Sequence, residues 1–143
     1  MDKQLEMLLR GGQFKKLMED RVMDIRKKYD MKHAEVEILY FLSKCGGQNT
    51  STDIHKHLMM NKGHISQVAD SLCRRGFLTA IPDQNDRRYI HYEVTESAQA
   101  MADEITAIMN EMNEAIFSGI TPEELEIFQN VSVKLSDNIA KLL

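Results

Sequence analysis

The chain has 143 residues, 43% apolar and 28% charged, with two cysteines and a formal charge of −4. That length supports one domain with a real core, and the composition argues against wholesale disorder. No apolar run approaches the roughly 20 residues of a membrane helix, the start MDKQLEMLLRGG has no secretory pattern, and Cys45 and Cys73 fit neither a disulfide framework nor a paired zinc motif, so a reducing cytoplasm is expected.

Residues 3–29 read as one long helix, with Leu5, Leu8, Leu9, Phe14, Val22 and Ile25 on its apolar stripe. Gly11-Gly12 interrupts it at a cost of roughly 1 kcal/mol per glycine. Close approach of another helix is preferred as the reason, over a helix that begins after the pair. Asp30 and Met31 form a break, and a second helix follows over residues 33–44, with Val36, Leu39, Tyr40 and Leu42 as core. Cys45-Gly46-Gly47 stops it. Thr50-Ser51-Thr52-Asp53 supplies the cap region of a third, short helix over Ile54 to Met59.

The stretch from Asn61 to Val94 organises the rest. Asn61 is an N-cap residue, and Ile65, Val68 and Leu72 recur at helical spacing as far as Arg75. Phe77 to Ile81 and Tyr89 to Val94 are β-rich runs around the polar turn Pro82-Asp83-Gln84-Asn85-Asp86-Arg87-Arg88. Two short helices joined by three or four residues, the second followed by a hairpin, describe a winged helix-turn-helix, a shape that places a helix in a major groove. The charge is distributed to suit. From His55 to His91, six Lys/Arg face three acids, a local +3 that leaves −7 elsewhere. An acidic body with one basic segment is what a local phosphate-binding face predicts.

Beyond the hairpin, Thr95 caps a long helix to about Phe117, with Ala98, Met101, Ile105, Ile108, Met112 and Ala115 as a heptad seam. Gly119 stops it. Thr121-Pro122-Glu123-Glu124 then starts the last helix, with Thr121 as N-cap, Pro122 at N1 and Glu124 completing a capping box. The expected fold is mainly α: a winged helix-turn-helix with a two-stranded wing and long terminal dimerisation helices. Residues 1–31 are expected to be an N-terminal dimerisation helix, 32–94 the DNA-binding lobe, and 95–143 C-terminal dimerisation helices. The small central lobe cannot cover the terminal stripes, whereas a second copy of the chain can. A two-fold homodimer suits a pseudo-palindromic site in double-stranded DNA.

These strings resemble the MarR (multiple-antibiotic-resistance regulator) family of transcription factors over nearly the whole chain. Ile65-Ser66-Gln67-Val68 with Leu72 and Gly76-Phe77-Leu78 is similar to that family's reading helix and its exit. Asp83-Gln84-Asn85-Asp86-Arg87-Arg88 ahead of Val94-Thr95-Glu96 resembles its wing signature. Thr79-Ala80, Ser97-Ala98 and Gly63 depart from the usual pattern. The resemblance implies six helices, a repressor released by a small aromatic or phenolic effector, and Arg88 as the stronger wing contact.

The candidate DNA contacts are Ser51 and Thr52 at the third helix, Lys62, Gly63, His64, Ser66 and Gln67 at the start of the reading helix, Arg74 near its end, and Arg87 and Arg88 on the wing. Asp86 is a candidate to hold an arginine in place. Gly63 either lets the backbone approach the duplex closely or is incidental. A winged-helix protein-interaction module, or a metal- or redox-responsive regulator, stays open as an alternative. His33 with Glu37, and His55 with His57, lack a further ligand, and Cys73 is expected to be a small buried hydrophobe. The abundant methionines are expected as core filling, with an adaptable apolar effector site as the alternative. No nucleophile–base pair or phosphate loop is present, so neither an enzyme nor a resident cofactor is expected.

Overall fold

The computed structural model describes residues 2–143, which fall into two units, one ending at Met109 and one running from Asn110 to Leu143. In chain order the elements are α1 (Lys3–Leu9), α2 (Gly12–Arg21), α3 (Met23–Tyr29), α4 (His33–Lys44), α5 (Ser51–Leu58), α6 (Lys62–Arg74), β1 (Leu78–Pro82), β2 (Ile90–Val94), a 3-10 turn (Glu96–Ala98), α7 (Gln99–Ile116) and α8 (Pro122–Leu142). The two strands form one antiparallel sheet in which Leu78 lies opposite Val94 and Ile81 opposite His91. The fold is mainly helical with a two-stranded wing, as the sequence predicts.

The core of the first unit follows from apolar periodicity. Val36, Ile38, Leu39 and Leu42 of α4 are buried with Ile54 of α5 and Ile65, Val68, Ala69 and Leu72 of α6. Leu78 and Tyr92 of the wing, Val22 and Ile25 of the amino-terminal arm, and Met101, Ala102 and Ile105 of α7 join the buried set. Each fully buried Ile or Leu contributes about 1.5–3 kcal/mol relative to exposure. Ile38 takes the place expected for Tyr40, which is half-buried.

Several expectations need correction. The single helix over residues 3–29 is three helices, broken at Arg10-Gly11 and again at Val22. Among the described residues none crowds the glycine pair from another element: a Cβ on Gly12 would meet nothing within 4 Å, and one on Gly11 would meet the Leu8 carbonyl oxygen at 3.2 Å. Thr95 does not cap α7 with its side chain. Its hydroxyl donates to the Gly76 carbonyl at 2.7 Å, and a 3-10 turn precedes α7. On α7 the buried residues include Ala102 and Met109, while Ile108 is half-buried and Ala115 exposed, so the heptad seam is displaced. At α8, Thr121 accepts the Glu124 N–H at 3.1 Å, but the Glu124 carboxylate meets the Thr121 hydroxyl and not its backbone, so only half of the capping box forms.

One polar junction locks the end of α6. The helix closes in a Schellman turn, with the Phe77 N–H on the Leu72 carbonyl and Gly76 at φ +79. Arg75, at its C-cap, donates to the carbonyls of Tyr29 and Asp30, the latter at 2.8 Å, and to the Glu35 carboxylate at 3.3 Å. Its guanidinium also stacks 4.9 Å from the centre of the Phe77 ring. Glu35 is buried and further accepts the Lys32 N–H at 2.9 Å and the Ser71 hydroxyl at 3.4 Å. Removing the cation leaves a buried carboxylate short of its partner, which is costly, while the partial exposure of Arg75 reduces the penalty. Arg75→Ala is expected to lose about 2 kcal/mol in urea unfolding, with Arg75→Lys recovering little because an ammonium cannot reproduce the planar fork.

Candidate nucleic-acid interface

Two caps fix the pair of short helices. Thr50 accepts the Asp53 N–H at 3.2 Å while the Asp53 carboxylate accepts the Thr50 N–H at 3.1 Å, a reciprocal capping box. The third helix therefore begins at Ser51 and not near Ile54, and Ser51 and Thr52 lie in its first turn. Thr52 is exposed. Ser51 is half-buried and interacts with the Tyr92 hydroxyl, which burial pushes up from its ordinary acidity and Ser51 partly draws back. Asn61 caps α6, its side-chain oxygen accepting the N–H groups of Gly63 at 2.8 Å and His64 at 3.4 Å.

Because α6 turns by 3.6 residues, its two faces separate cleanly. Ile65, Val68, Ala69 and Leu72 are buried, while Lys62, Gly63, His64, Ser66, Gln67 and Arg74 are all exposed. Gly63, Ser66, Gln67 and Arg74 share one stripe by spacing. Asp70 lies on the same stripe and is also exposed, an acid set among the candidate DNA contacts. Gly63 makes the free N-terminus narrow: a Cβ there would stand 3.1 Å from the capping oxygen of Asn61.

The wing loop is built on its acids. Asp83 accepts the N–H groups of Asn85 at 3.0 Å and Asp86 at 2.9 Å through one oxygen, and faces His91 Nε2 at 2.8 Å with the other. These bonds, the one to His91 first, hold its carboxyl below the usual carboxylate range. Asp86 clamps Arg88 as expected for an acid that holds an arginine: Nε lies 3.0 Å from one oxygen and Nη2 2.8 Å from the other. That pairing lowers the Asp86 carboxyl and raises the Arg88 guanidinium. Arg87 and Arg88 are both exposed. His91 also meets the side-chain oxygen of Asn49 through Nδ1 at 2.6 Å, and Asn49 in turn accepts the Tyr92 N–H through its carbonyl at 3.0 Å. Neither Asn49 nor His91 is conspicuous in the sequence, since 42 residues separate them.

The other titratable residues serve locally. His33 Nε2 lies 2.6 Å from Glu37, His55 Nδ1 2.6 Å from the Met60 carbonyl oxygen, and His57 Nε2 2.9 Å from the Gln48 side chain. Among the described residues no three His, Cys, Asp or Glu side chains gather as a metal site would need. Cys73 is half-buried and not fully buried as expected, and burial raises the thiols of both Cys73 and Cys45, which disfavours the reactive thiolate. No helix of the described residues is long and apolar enough to cross a membrane.

Residues 31–98 match the family of winged helix DNA-binding domains. An uncharacterized HTH-type transcriptional regulator of Bacillus subtilis, YkoM, is 29% identical over 111 residues, 78% of this chain and 71% of the relative. Among solved structures, a MarR protein from Peptoclostridium difficile superposes with a TM-score of 0.75 at 16% identity, covering 97% of this chain and 89% of that one. FabT from Streptococcus pneumoniae, solved in complex with DNA, superposes with a TM-score of 0.71 at 19% identity, covering 99% and 100%. The chain shares the winged helix fold of these structures.

The caps give a direct check on the site's geometry. Asn61→Ala removes the acceptor for two N–H groups at the start of α6 and is expected to cost about 1 kcal/mol, read as a lower urea midpoint with an unchanged slope.

Proposed function

We propose that this chain, which carries a winged helix DNA-binding domain on the fold of the MarR-family regulators, acts as a homodimeric repressor of transcription released by a small apolar or aromatic effector. The observation that carries the reading is the two-faced α6: its apolar side is buried while Lys62, Gly63, His64, Ser66 and Gln67 stand in water beside the capped N-terminus. In this reading α6 enters the major groove. Gln67 pairs bidentately with an adenine edge, Ser66 and His64 reach base edges or phosphates, and Lys62 and the helix N-terminus hold a phosphate. Thr52, with Ser51 behind it, meets the neighbouring phosphate backbone, Arg74 a phosphate further along, and Arg87 and Arg88 the backbone or minor groove beside the wing. Arg88 keeps N–H groups free for an outside oxygen even while Asp86 holds its Nε edge.

The terminal helices support the dimer. Leu5, Leu8, Leu9 and Phe14 are exposed on the amino-terminal arm, and Ile127, Phe128, Val131, Ile139 and Leu142 on α8. Apolar surface of that extent calls for a covering partner, and residues 1–31 and 95–143 of a second copy provide one. A two-fold dimer would set the paired α6 helices about 34 Å apart, one turn of duplex, and so match a pseudo-palindrome. An effector relieves repression only by binding one spacing of those helices better than the other.

Three measurements test this. The wild-type protein should bind a duplex selected from a random pool with steep salt dependence, and Arg88→Ala should flatten the log–log slope by about two, one phosphate per protomer. Gln67→Ala should cost about 1–3 kcal/mol at one base position in each half-site and leave the salt slope unchanged. Phe128→Asp should shift the sedimenting species from two chains toward one. A monomeric wild-type protein, or one that binds random and selected duplexes alike, overturns the reading.

A further inference from the structure

Within the regulator reading above, we propose that His91 is a positioning residue for DNA binding: its imidazolium ties the wing loop to the segment that starts α5, and so aims Arg88 at the duplex. The geometry is that of a ring with an acceptor on each nitrogen. Nδ1 lies 2.6 Å from the Asn49 side-chain oxygen and Nε2 lies 2.8 Å from the Asp83 carboxylate. A neutral imidazole donates from one nitrogen only, whereas the imidazolium donates from both. Loss of the proton therefore costs one of the two bonds, or forces the Asn49 amide to turn over in a buried setting, where Asn49 is 8% exposed.

Both partners lead directly to candidate DNA contacts. On one side, Asn49 precedes Thr50, whose backbone bridges His91 and whose hydroxyl caps the helix bearing Ser51 and Thr52. On the other, Asp83 gathers the N–H groups of Asn85 and Asp86, and Asp86 holds Arg88. A single ring thus connects the first turn of α5 to the arginine at the wing tip. Asp83 faces it from the loop, Asp53 on α5 is engaged by Thr50, His57 on the same helix bonds Gln48, and β1 sets the apolar Ile81 opposite. Helix α4 also packs against β2 and carries His33 paired with Glu37, Glu35 paired with Arg75, Tyr40 and Lys44.

The sign of the pH response follows. Asp83 is held below the ordinary carboxylate value, so it stays ionised well into acid, and its bond to His91 is lost only as pH falls through that lowered value. The tie is complete while both ring nitrogens carry a proton and loses one of its two bonds when the ring gives one up, so it weakens as pH rises.

The test uses the full chain in two arms at constant ionic strength. In the first, without DNA, the backbone amide signals of Asn85, Asp86 and Arg88 are followed by NMR from pH 5.5 to pH 8.5 alongside the His91 ring signals. They should move together with one midpoint in the wild type, and the amides should be flat in His91→Gln, whose amide can still donate to Asp83. In the second, affinity for a selected duplex should fall about threefold to tenfold from pH 6 to pH 8 in the wild type, the range expected for one charge-assisted bond. His91→Gln should remove most of that fall, leaving what the remaining histidines contribute, and retain binding at both pH values. Wing amides that ignore the His91 titration overturn the proposal whatever the DNA does. Amides that move with the ring, in a protein that binds no duplex, overturn the regulator reading and its coupling to DNA while leaving the tie itself.

Discussion

The constraint on which the molecule turns is that α6 must satisfy two solvents within 13 residues. Ile65 and Leu72 lose all contact with water, while Ser66 and Gln67, one and two positions on from Ile65, stay exposed to it. The apolar half supplies energy and the polar half supplies position, and neither is useful alone. A helix held only by its burial could still slide or fray. Asn61 at one end, and Gly76 with Arg75 at the other, remove that freedom.

An acidic protein with one basic segment has to manage its charges locally. The wing does so by using its own carboxylates as structure. Asp83 folds the loop around itself and Asp86 grips Arg88, so the acids of the turn are engaged inside it. What faces outward is the basic part of that segment, and the net charge of −4 gives no sign of this. Asp70 is the exception, an exposed acid on the polar stripe of α6; an anionic duplex laid along that stripe would have to accommodate it.

Features that arise from neighbouring residues were legible in the sequence, and those made by distant ones were not. Asn61, Thr121 with Pro122, and the left-handed glycines Gly46, Gly76 and Gly119 act within a few residues of themselves, so their roles follow from residue type. The hairpin and the amphipathic α6 follow from period. By contrast, Met59 takes the left-handed conformation without being glycine, at a cost of about 1–2 kcal/mol, and nothing local announces it, whereas Asp30 does so at the break read from the sequence. The break at Val22 is similarly silent. Arg74 and Arg75 look alike on paper, yet one position of helical turn sends the first into water and the second to the carbonyls of Tyr29 and Asp30. Asn49 and His91 meet only because the wing folds back beside α5.

Arg75 has a mechanical consequence. Its guanidinium is rigid and planar, and it is shared by the closing carbonyls of α3, the buried acid of α4 and the ring that follows α6. Three helices are therefore pinned at a common point. A fork of that kind tolerates little slack, so α3 cannot roll without either dragging the tail of α6 or tearing free of it. The closing turn of α3 and the end of α6 therefore share one anchor, and a displacement of either is passed to the other through Arg75.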